Sequence, residues 1–354
     1  MPFALSRART EEAVRAADLA QPDEVARIEG FVRDAGGSVF HRPAWLLAVE
    51  RGTGQRACGL LAEQNGQITG WFPLTELHSP IFGRALVSSG FAVDGGLLAS
   101  GQVTRRMLAG AAQELALRLS CAGVELRGPL DEPGWTLKTE SHCGFSMPLA
   151  ADDEAQLTAI PRKQRAEVRK GLANDLEITV GRDEADRAAH YAVYSESVRN
   201  LGTPVFPRSL FDAVLDGLDA DILTVRAAGV PVSSVLSLYH AGAVLPYWGG
   251  GTRAARGLRS NDRMYFELML HARRRGCEVF DFGRSKVGSG PYFYKKTWGL
   301  EPQPLAYASW TAPGHEPRDA DPTSARHQSR IALWKQLPLG LANRIGPWIA
   351  RGLG

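Results

Sequence analysis

The same succession of hydrophobic and polar patterns occurs in two parts of the chain. In each part, two strand-like apolar runs flank a tight-turn dipeptide, Asn65-Gly66 in the first and Ala228-Gly229 in the second, which predicts a β-hairpin. A further apolar stretch follows each hairpin, and then comes a segment with apolar residues at helical spacing, over about residues 104–120 and 261–275. Short strands are predicted after these helices, at residues 123–128 and 276–284. This repeated order predicts a duplicated domain of mixed α/β class.

The repeat divides the 354 residues into a first domain at residues 1–150 and a second at residues 151–310. Residues 311–354 then form a linker, rich in Pro, Asp and Ala up to about residue 324, and an amphipathic tail. The charged residues of the tail are all basic: Arg330, Lys335, Arg344 and Arg351. Such a tail either docks across the two domains, the arrangement that we favour, or lies in the headgroup region of an anionic membrane.

The composition narrows the function classes. A net charge of +3 is too small to predict general nucleic-acid binding, so we expect no DNA partner. The four cysteines are scattered, with no CxxC pair and no histidine at metal-ligand spacing, which predicts reduced thiols and no metal site. The N-terminus has no apolar core of a signal peptide, and no apolar run reaches bilayer-spanning length. We therefore expect a cytoplasmic protein, peripheral at the inner face of the membrane if the tail binds lipid.

Residues 279–299 contain the strongest functional signal. A short apolar run leads into glycines and four cations, Arg284, Lys286, Lys295 and Lys296. Backbone N–H groups exposed by glycine, together with cations, suit an anion such as phosphate, and the aromatic residues between them could form a wall for a sugar or base. Those aromatics are Tyr292, Phe293, Tyr294 and Trp298. The alternative is a basic surface turn. A P-loop is excluded because Ser289-Gly290 stands where the Lys-Ser/Thr pair is needed.

A second basic run lies at the start of the second half, in residues 161–171. Its first four cations are Arg162, Lys163, Arg165 and Arg169. In a helix, the three arginines fall at i, i+3 and i+7 and therefore share a face. This face either holds a substrate phosphate or is a solvated helix surface.

Four stretches of the second half, residues 159–171, 197–206, 245–251 and 280–299, resemble the FemAB-related branch of the GNAT-fold acyltransferases. More narrowly, they resemble the FemAB-like proteins associated with PEP-CTERM/exosortase exopolysaccharide systems. The first half matches more loosely, through residues 40–45 and the following hairpin. The resemblance implies tandem GNAT-like domains and a transferase.

The resemblance also implies roles for particular residues. Family members that build peptidoglycan bridges transfer an aminoacyl group from charged tRNA to an amine of a nucleotide- or lipid-linked muropeptide, and an aromatic-Lys pair lies at their reacting ester. Tyr294-Lys295 stands at that position. In ordinary GNAT enzymes, a loop before a helix binds the CoA pyrophosphate, and residues 256–261 are its counterpart, with one glycine where two are usual. The implied donor is thus aminoacyl-tRNA or acyl-CoA, and the implied acceptor is a phosphorylated sugar- or lipid-linked amine.

Attack by an amine on an ester or thioester places negative charge on the carbonyl oxygen, which an ammonium group stabilises. We expect Lys295 to take this role and Asp281 to be the candidate base, unless Asp281 only pairs with a neighbouring cation or His240 is the base instead. The predicted substrate-binding residues are Arg162, Lys163, Arg165, Arg169, Tyr247, Arg256, Asn261, Arg284, Lys286, Tyr294 and Trp298.

The predicted function is transfer of an acyl or aminoacyl group to an amine of a cell-envelope or exopolysaccharide-linked substrate. Two alternatives stay open: an acyl-CoA-dependent lipid N-acyltransferase, and a non-catalytic GNAT-like module that binds anionic glycolipid.

Overall fold

The computed structural model of the chain describes residues 11–318 and 328–354, with side chains from residue 331 onward in the second range. The N-terminal segment and much of the predicted linker lie outside these residues. The strands of the N-terminal half are β1 (Ala13–Ala16), β2 (Arg56–Gln64), β3 (Gln67–Ser79), β4 (Gly83–Ser88), β5 (Leu98–Ala99), β6 (Gly123–Leu126) and β7 (Trp135–Gly144). Its helices are α1 (Pro22–Asp34), α2 (Pro43–Thr53) and α3 (Gln102–Arg118), with a 3-10 turn at Val39–His41.

The second half contributes a longer set of elements. Its strands are β8 (Ser146–Pro148), β9 (Glu177–Gly181), β10 (Ala220–Ala227), β11 (Val230–His240), β12 (Ala243–Gly251), β13 (Val279–Asp281), β14 (Ser285–Lys286) and β15 (Gln303–Thr311). Its helices are α4 (Asp153–Ala159), α5 (Arg162–Ala173), α6 (Glu184–Leu201), α7 (Arg208–Gly217), α8 (Ala255–Leu258), α9 (Ser260–Arg274), α10 (Gly290–Thr297), α11 (Gln328–Trp334) and α12 (Leu339–Ala350).

The predicted duplication is present. In each half, three antiparallel strands are followed by a helix and then by a strand that pairs in parallel with the third, β4 with β6 and β12 with β13. Asn65 and Gly66 both adopt positive φ, as a two-residue hairpin turn requires. The β12–β13 register includes only the pairs Ala243–Val279 and Val244–Phe280. The strands therefore separate beyond Val244, and the rest of β12 faces the other domain.

The two sheets exchange strands across the predicted domain boundaries. The first sheet has the order β1-β2-β3-β4-β6-β15-β7-β14, and the second has the order β8-β13-β12-β11-β10-β9. Strand β8 therefore precedes residue 150 but lies in the second sheet, whereas β14 and β15 follow residue 151 and lie in the first. The division at residues 150 and 310 does not coincide with the sheets. The segment between β13 and β15 crosses from one sheet to the other.

The two domains pack tightly through α2 and α7. A Cβ atom on Gly52 would lie 2.4 Å from Leu210 Cα, so only glycine allows this close helix approach. Beside this contact, the indole of Trp45 packs in an aromatic cluster with Phe40, Tyr247 and Trp248. Trp45 is fully buried, and its Nε1 donates to Gly90 O at 3.1 Å. This shared core fixes the first-domain loop after β4 against β12.

The tail contacts both domains. Ala342, Gly346 and Ala350 form the buried face of α12, which packs against α6, and Asn343 Nδ2 donates to Ser195 Oγ at 3.1 Å. Just beyond α12, Arg351 O accepts a hydrogen bond of 2.9 Å from Gln55 Nε2 of the first domain. The tail is therefore docked by one face in this structure, and the predicted membrane contact is taken up below. Across residues 11–318 and 328–354, no helix is long and apolar enough to cross a bilayer.

Candidate active site at the domain seam

The segment that the sequence singles out forms a turn followed by a short helix. Gly283 and Gly288 adopt positive φ, which lets the chain reverse after β13. Ser289 Oγ then accepts a hydrogen bond of 3.3 Å from Tyr292 N, and Pro291 lies in the first turn of α10. The serine cap and the proline therefore start a helix, which includes Tyr294-Lys295-Lys296. Neighbouring side chains there point about 100° apart instead of to opposite sides.

Lys295 extends from α10 into the turn after β13. Its Nζ atom donates to Gly283 O and Arg284 O, each at 3.0 Å, and lies 5.5 Å from the centre of the Phe145 ring. Burial lowers the pKa of Lys295 to about 8, the Asp281 charge raises it, and the nearby Arg284 charge lowers it further. An ammonium group has three N–H donors, so one donor is left for a substrate.

Asp281 ends β13 and lies close enough to Lys295 for their charges to interact. Its Oδ1 accepts a hydrogen bond of 2.8 Å from Gly283 N. Burial raises the pKa of the Asp281 carboxyl, while the Gly283 hydrogen bond and the Lys295 charge lower it. A carboxylate with a raised pKa is a better proton acceptor than an exposed one. The predicted ammonium and base are thus together at one point of the site. The alternative base, His240, binds Gly37 O through Nε2 at 2.9 Å, which is a structural contact between the domains.

The first domain adds groups that the sequence did not indicate. The loop after β4 is held by two tyrosines: Tyr247 OH donates to Phe91 O at 2.5 Å, and Tyr307 OH donates to Val93 O at 3.0 Å. The next residue, Asp94, is exposed, and its charge raises the pKa of Asp281. Asp94 therefore lies close enough to Asp281 for the two charges to interact. A signal was present in the sequence, because an acidic residue followed by two glycines, Asp94-Gly95-Gly96, comes soon after β4.

Arginines line the same seam. Arg284 Nη1 donates to Tyr307 OH at 3.3 Å, and Arg127 Nη1 donates to Ser88 O. Burial lowers the pKa of Arg127 to about 10, and the neighbouring Arg284 charge acts in the same direction. Two neighbouring positive charges gain stability from an anion placed between them. Arg284 therefore lies where a substrate anion would be favoured, and Arg127 is a group that sequence reasoning missed. Lys286 is an exposed residue of β14 in the same segment.

The predicted aromatic wall is divided between surface and core: Phe293 is 58% exposed and Tyr292 is half-buried, whereas Trp298 and Tyr294 pack in the core. Trp298 is 1% exposed, and Tyr294 packs against it and against Tyr265. The hydroxyl of Tyr294 donates to Asp262 Oδ1 at 3.0 Å. Tyr247 is half-buried in the aromatic cluster, and its hydroxyl is used by Phe91 O. These three side chains pack behind the site and do not offer a free surface on which a substrate ring could stack. The spacing of Tyr294 and Trp298, at i and i+4 of a helix, is that of a core face.

The predicted CoA loop is covered by α5. A Cβ atom on Gly171 of α5 would lie 2.8 Å from Arg259 O, directly before α9, and Glu167 pairs with Arg259 at 2.7 Å. The first turn of α9 also carries the Asp262 carboxylate, while Asn261 Oδ1 accepts from Ser233 Oγ at 2.7 Å. Arg256 is exposed. A carboxylate at a helix N-terminus competes with an incoming pyrophosphate. The first turn of α9 is thus covered by α5 and already carries a carboxylate.

The α5 cations form an exposed face. Arg162, Lys163 and Arg169 are exposed, and the half-buried Arg165 donates Nε to Ile160 O at 3.1 Å. A groove with a volume of about 590 Å³ runs along this face, lined by Arg162, Arg165, Ala166, Arg169, Lys170 and Ala173. Because one helix supplies all of these residues, the groove is an open surface. The opposite side of α5 contacts α10, where Thr297 Oγ1 donates to Gln164 Oε1 at 3.0 Å. The structure thus brings the cations onto a helix next to α10 without joining them to Lys295 in one pocket.

Within the described parts of the chain, no group of three or more acidic, histidine or cysteine side chains could hold a metal ion. Residues 161–296, from the start of α5 to the residue after Lys295, match the acetyltransferase (GNAT) domain family. The match covers less than half of the chain and supports a GNAT-like fold for the second domain. No curated protein matches the chain.

Three solved structures share this GNAT architecture over nearly their full length. FemX is 14% identical with a TM-score of 0.64, and the match covers 88% of this chain and 98% of that one. A tandem GNAT protein from the clavulanic acid biosynthesis pathway is 11% identical, with a TM-score of 0.58 and coverage of 87% and 100%. The C-terminal domain of a putative lysylphosphatidylglycerol synthetase from Agrobacterium fabrum is 14% identical, with a TM-score of 0.55 and coverage of 83% and 93%. At these identities the likeness concerns the fold, and it confirms the predicted tandem GNAT-like arrangement.

Proposed function

We propose that the protein transfers an acyl or aminoacyl group to an amine of a cell-envelope or exopolysaccharide-linked substrate, in the FemAB-like manner. The observation that carries this proposal is the Lys295–Asp281 pair at the seam of two GNAT-like domains. Lys295 is a half-buried ammonium with one uncommitted donor, and Asp281 is a carboxylate whose pKa is raised by burial. The protein acts in the cytoplasm or at the inner face of the membrane, where both candidate donors occur.

The reaction follows from these two groups. The amine nitrogen of the acceptor attacks the carbonyl carbon of the donor ester or thioester, and negative charge develops on the carbonyl oxygen. Lys295 stabilises that charge through its free N–H, in a site where burial strengthens the interaction. Asp281 accepts the proton that the amine loses. The tetrahedral intermediate then collapses to an amide and releases an alcohol or thiol, which takes up the proton. Asp94 contributes a second carboxylate that attracts the cationic acceptor amine.

The covered first turn of α9 favours aminoacyl-tRNA over acyl-CoA as donor. The Asp262 carboxylate and the close packing of α5 oppose a pyrophosphate at that position. FemX and the putative lysylphosphatidylglycerol synthetase are among the similar structures, which supports an aminoacyl donor by analogy of fold. The second candidate is an acyl-CoA-dependent lipid N-acyltransferase, and the exposed apolar face of α12 favours a lipid acceptor.

Donor competition separates these candidates. Purified protein is incubated with a membrane and polysaccharide extract and either radiolabelled aminoacyl-tRNA or radiolabelled acyl-CoA. We expect label to be transferred from aminoacyl-tRNA to the extract. RNase should abolish this transfer, and added CoA should have no effect on it. Transfer from acyl-CoA that resists RNase would instead support the lipid N-acyltransferase. No transfer from either donor would contradict a catalytic function and would favour the non-catalytic module that binds anionic glycolipid.

We further propose that the α5 cations hold a phosphate of the acceptor or donor. Replacing Arg162, Lys163, Arg165 and Arg169 together by Gln should raise KM about tenfold at low salt and leave kcat nearly unchanged, because exposed charge pairs contribute mainly to binding. The difference should shrink as ionic strength rises. A control variant carries Gln at four exposed arginines of other surfaces: Arg33, Arg56, Arg118 and Arg274. An unchanged KM at low salt, or an equal rise of KM in the control variant, would show that the α5 cations form a solvated helix face and do not bind substrate.

A further inference from the structure

Helix α12 has two apolar faces, and only one of them is used by the fold. The docked face consists of small residues, Ala342, Gly346 and Ala350, all buried. Large apolar side chains occupy the opposite face: Leu341 is 44% exposed, Ile345 37% and Trp348 50%. Their i, i+4 and i+7 spacing places them in one stripe along the helix. A stripe of large exposed apolar residues on a docked helix marks an interaction surface.

The docking contacts fix which way this stripe points. A Cβ atom on Gly346 would lie 3.1 Å from Val205 N, so the helix backbone is held close to the second domain. The Asn343–Ser195 hydrogen bond lies on the same side, and a Cβ atom on Gly352 would lie 2.5 Å from Ser79 Oγ of the first domain. Rolling the helix to bury Trp348 would break these contacts. The stripe therefore faces outward as a permanent feature of the folded protein.

The charges beside the stripe have a single sign. Arg344 and Arg351 each lie three residues after a member of the stripe, Leu341 and Trp348, and so flank it along one edge. Lys335 is exposed between α11 and α12, and residues 331–354 contain no Asp or Glu. Leu333 of α11 is 66% exposed and adds a further large apolar side chain. A helix with Trp and aliphatic residues on one face and cations at its edge suits the headgroup region of an anionic bilayer.

We infer that the outer face of α12 seats the folded protein on an anionic lipid leaflet, with Trp348, Ile345 and Leu341 inserted among the headgroups. A second copy of the chain fits this face less well. A two-fold pairing of α12 would bring Arg344 and Arg351 against the same arginines of the partner. The stripe consists of three side chains, whereas a stable protein interface takes roughly 20–30 residues and 800 Å² per partner. This surface lies outside the Lys295 site, so its function does not depend on the proposed reaction.

Flotation with lipid vesicles tests the inference. The full chain is mixed with vesicles of phosphatidylcholine alone or of phosphatidylcholine with phosphatidylglycerol. Wild type should bind the anionic vesicles at low salt, and the triple variant Leu341→Gln, Ile345→Gln, Trp348→Gln should bind at least about tenfold more weakly. The double variant Arg344→Gln, Arg351→Gln should lose binding to the anionic vesicles in particular. Its apolar stripe is intact, so this loss reports the missing positive charges.

Two controls separate membrane contact from loss of structure. The triple variant should keep the wild-type melting temperature, because its substitutions lie on the solvent side of a docked helix. A second variant, Val103→Gln with Leu117→Gln, changes exposed apolar residues of α3 and should bind vesicles like wild type. Equal binding by wild type and the triple variant, or no binding by wild type, would overturn the inference. A dimer of the wild type that the triple variant lacks, without vesicle binding, would assign the stripe to an interface between copies.

Discussion

Lys295→Ala is expected to lower the rate of group transfer by about 100- to 1000-fold, the usual effect of removing one donor to a developing oxyanion. The loss should appear in kcat, because the charge that Lys295 stabilises exists only in the transition state. Lys296→Ala is the matched control. Lys296 is exposed on the next position of α10, and its Nζ lies 5.7 Å from the Tyr292 ring, away from the two carbonyls that Lys295 binds. We expect this control to keep most of the wild-type activity and both variants to unfold cooperatively near the wild-type temperature.

The pH profile of the same assay tests how Lys295 acts. Its pKa is lowered to about 8, so the group is charged below that pH and becomes neutral above it. Because an ammonium is needed for oxyanion stabilisation, the Lys295-dependent rate should fall as pH rises through about 8. A rate that increases through this pH would assign Lys295 as a base. If Lys295→Ala had no effect and Lys296→Ala abolished activity, the assignment of the reacting group to Lys295 would be wrong.

Trp45→Ala should destabilise the protein by about 3–5 kcal/mol, the typical result of removing a large buried aromatic side chain. Trp45 is fully buried between the domains, contacts three aromatic rings and donates to Gly90 O at 3.1 Å. Its removal leaves a cavity and an unsatisfied carbonyl in the loop that carries Asp94. Urea unfolding measures the change, with Trp348→Ala as the control because that indole is 50% exposed. Similar losses in the two variants would contradict a shared interdomain core at Trp45.

Much of the fold could be predicted from local patterns. The Asn65-Gly66 dipeptide indicates a tight turn because both residues adopt left-handed backbone conformations easily, and the structure has them there. The same order of strands and helices occurs twice in the sequence, and this was enough to predict the tandem arrangement. The exchange of β14 and β15 into the first sheet could not be predicted in the same way. A strand's own sequence shows its period and burial but not which distant strand it pairs with.

The site was predictable in part for similar reasons. Asp281 and Lys295 lie within 15 positions of each other, and the resemblance to FemAB-like proteins pointed to the second. Asp94, Arg127 and Tyr307 come from distant segments that only the packing of the two domains brings to the seam. Trp298 was assigned to the substrate because of its neighbours in the sequence, yet it is 1% exposed. On a helix, its spacing from Tyr294 favours the core, and Ser289 with Pro291 were the signals for that helix.

The proposed transfer leaves a chemical record in the cell, because each turnover adds the mass of an acyl or aminoacyl group to an amine of the acceptor. Mass spectrometry of lipids and polysaccharide compares cells that lack the gene with the same cells carrying wild type, Lys295→Ala or Lys296→Ala. We expect an amine-linked mass increment with wild type and Lys296→Ala, and its absence without the gene or with Lys295→Ala. Identical spectra in all four strains, or an increment restored by Lys295→Ala, would contradict group transfer at the Lys295 site.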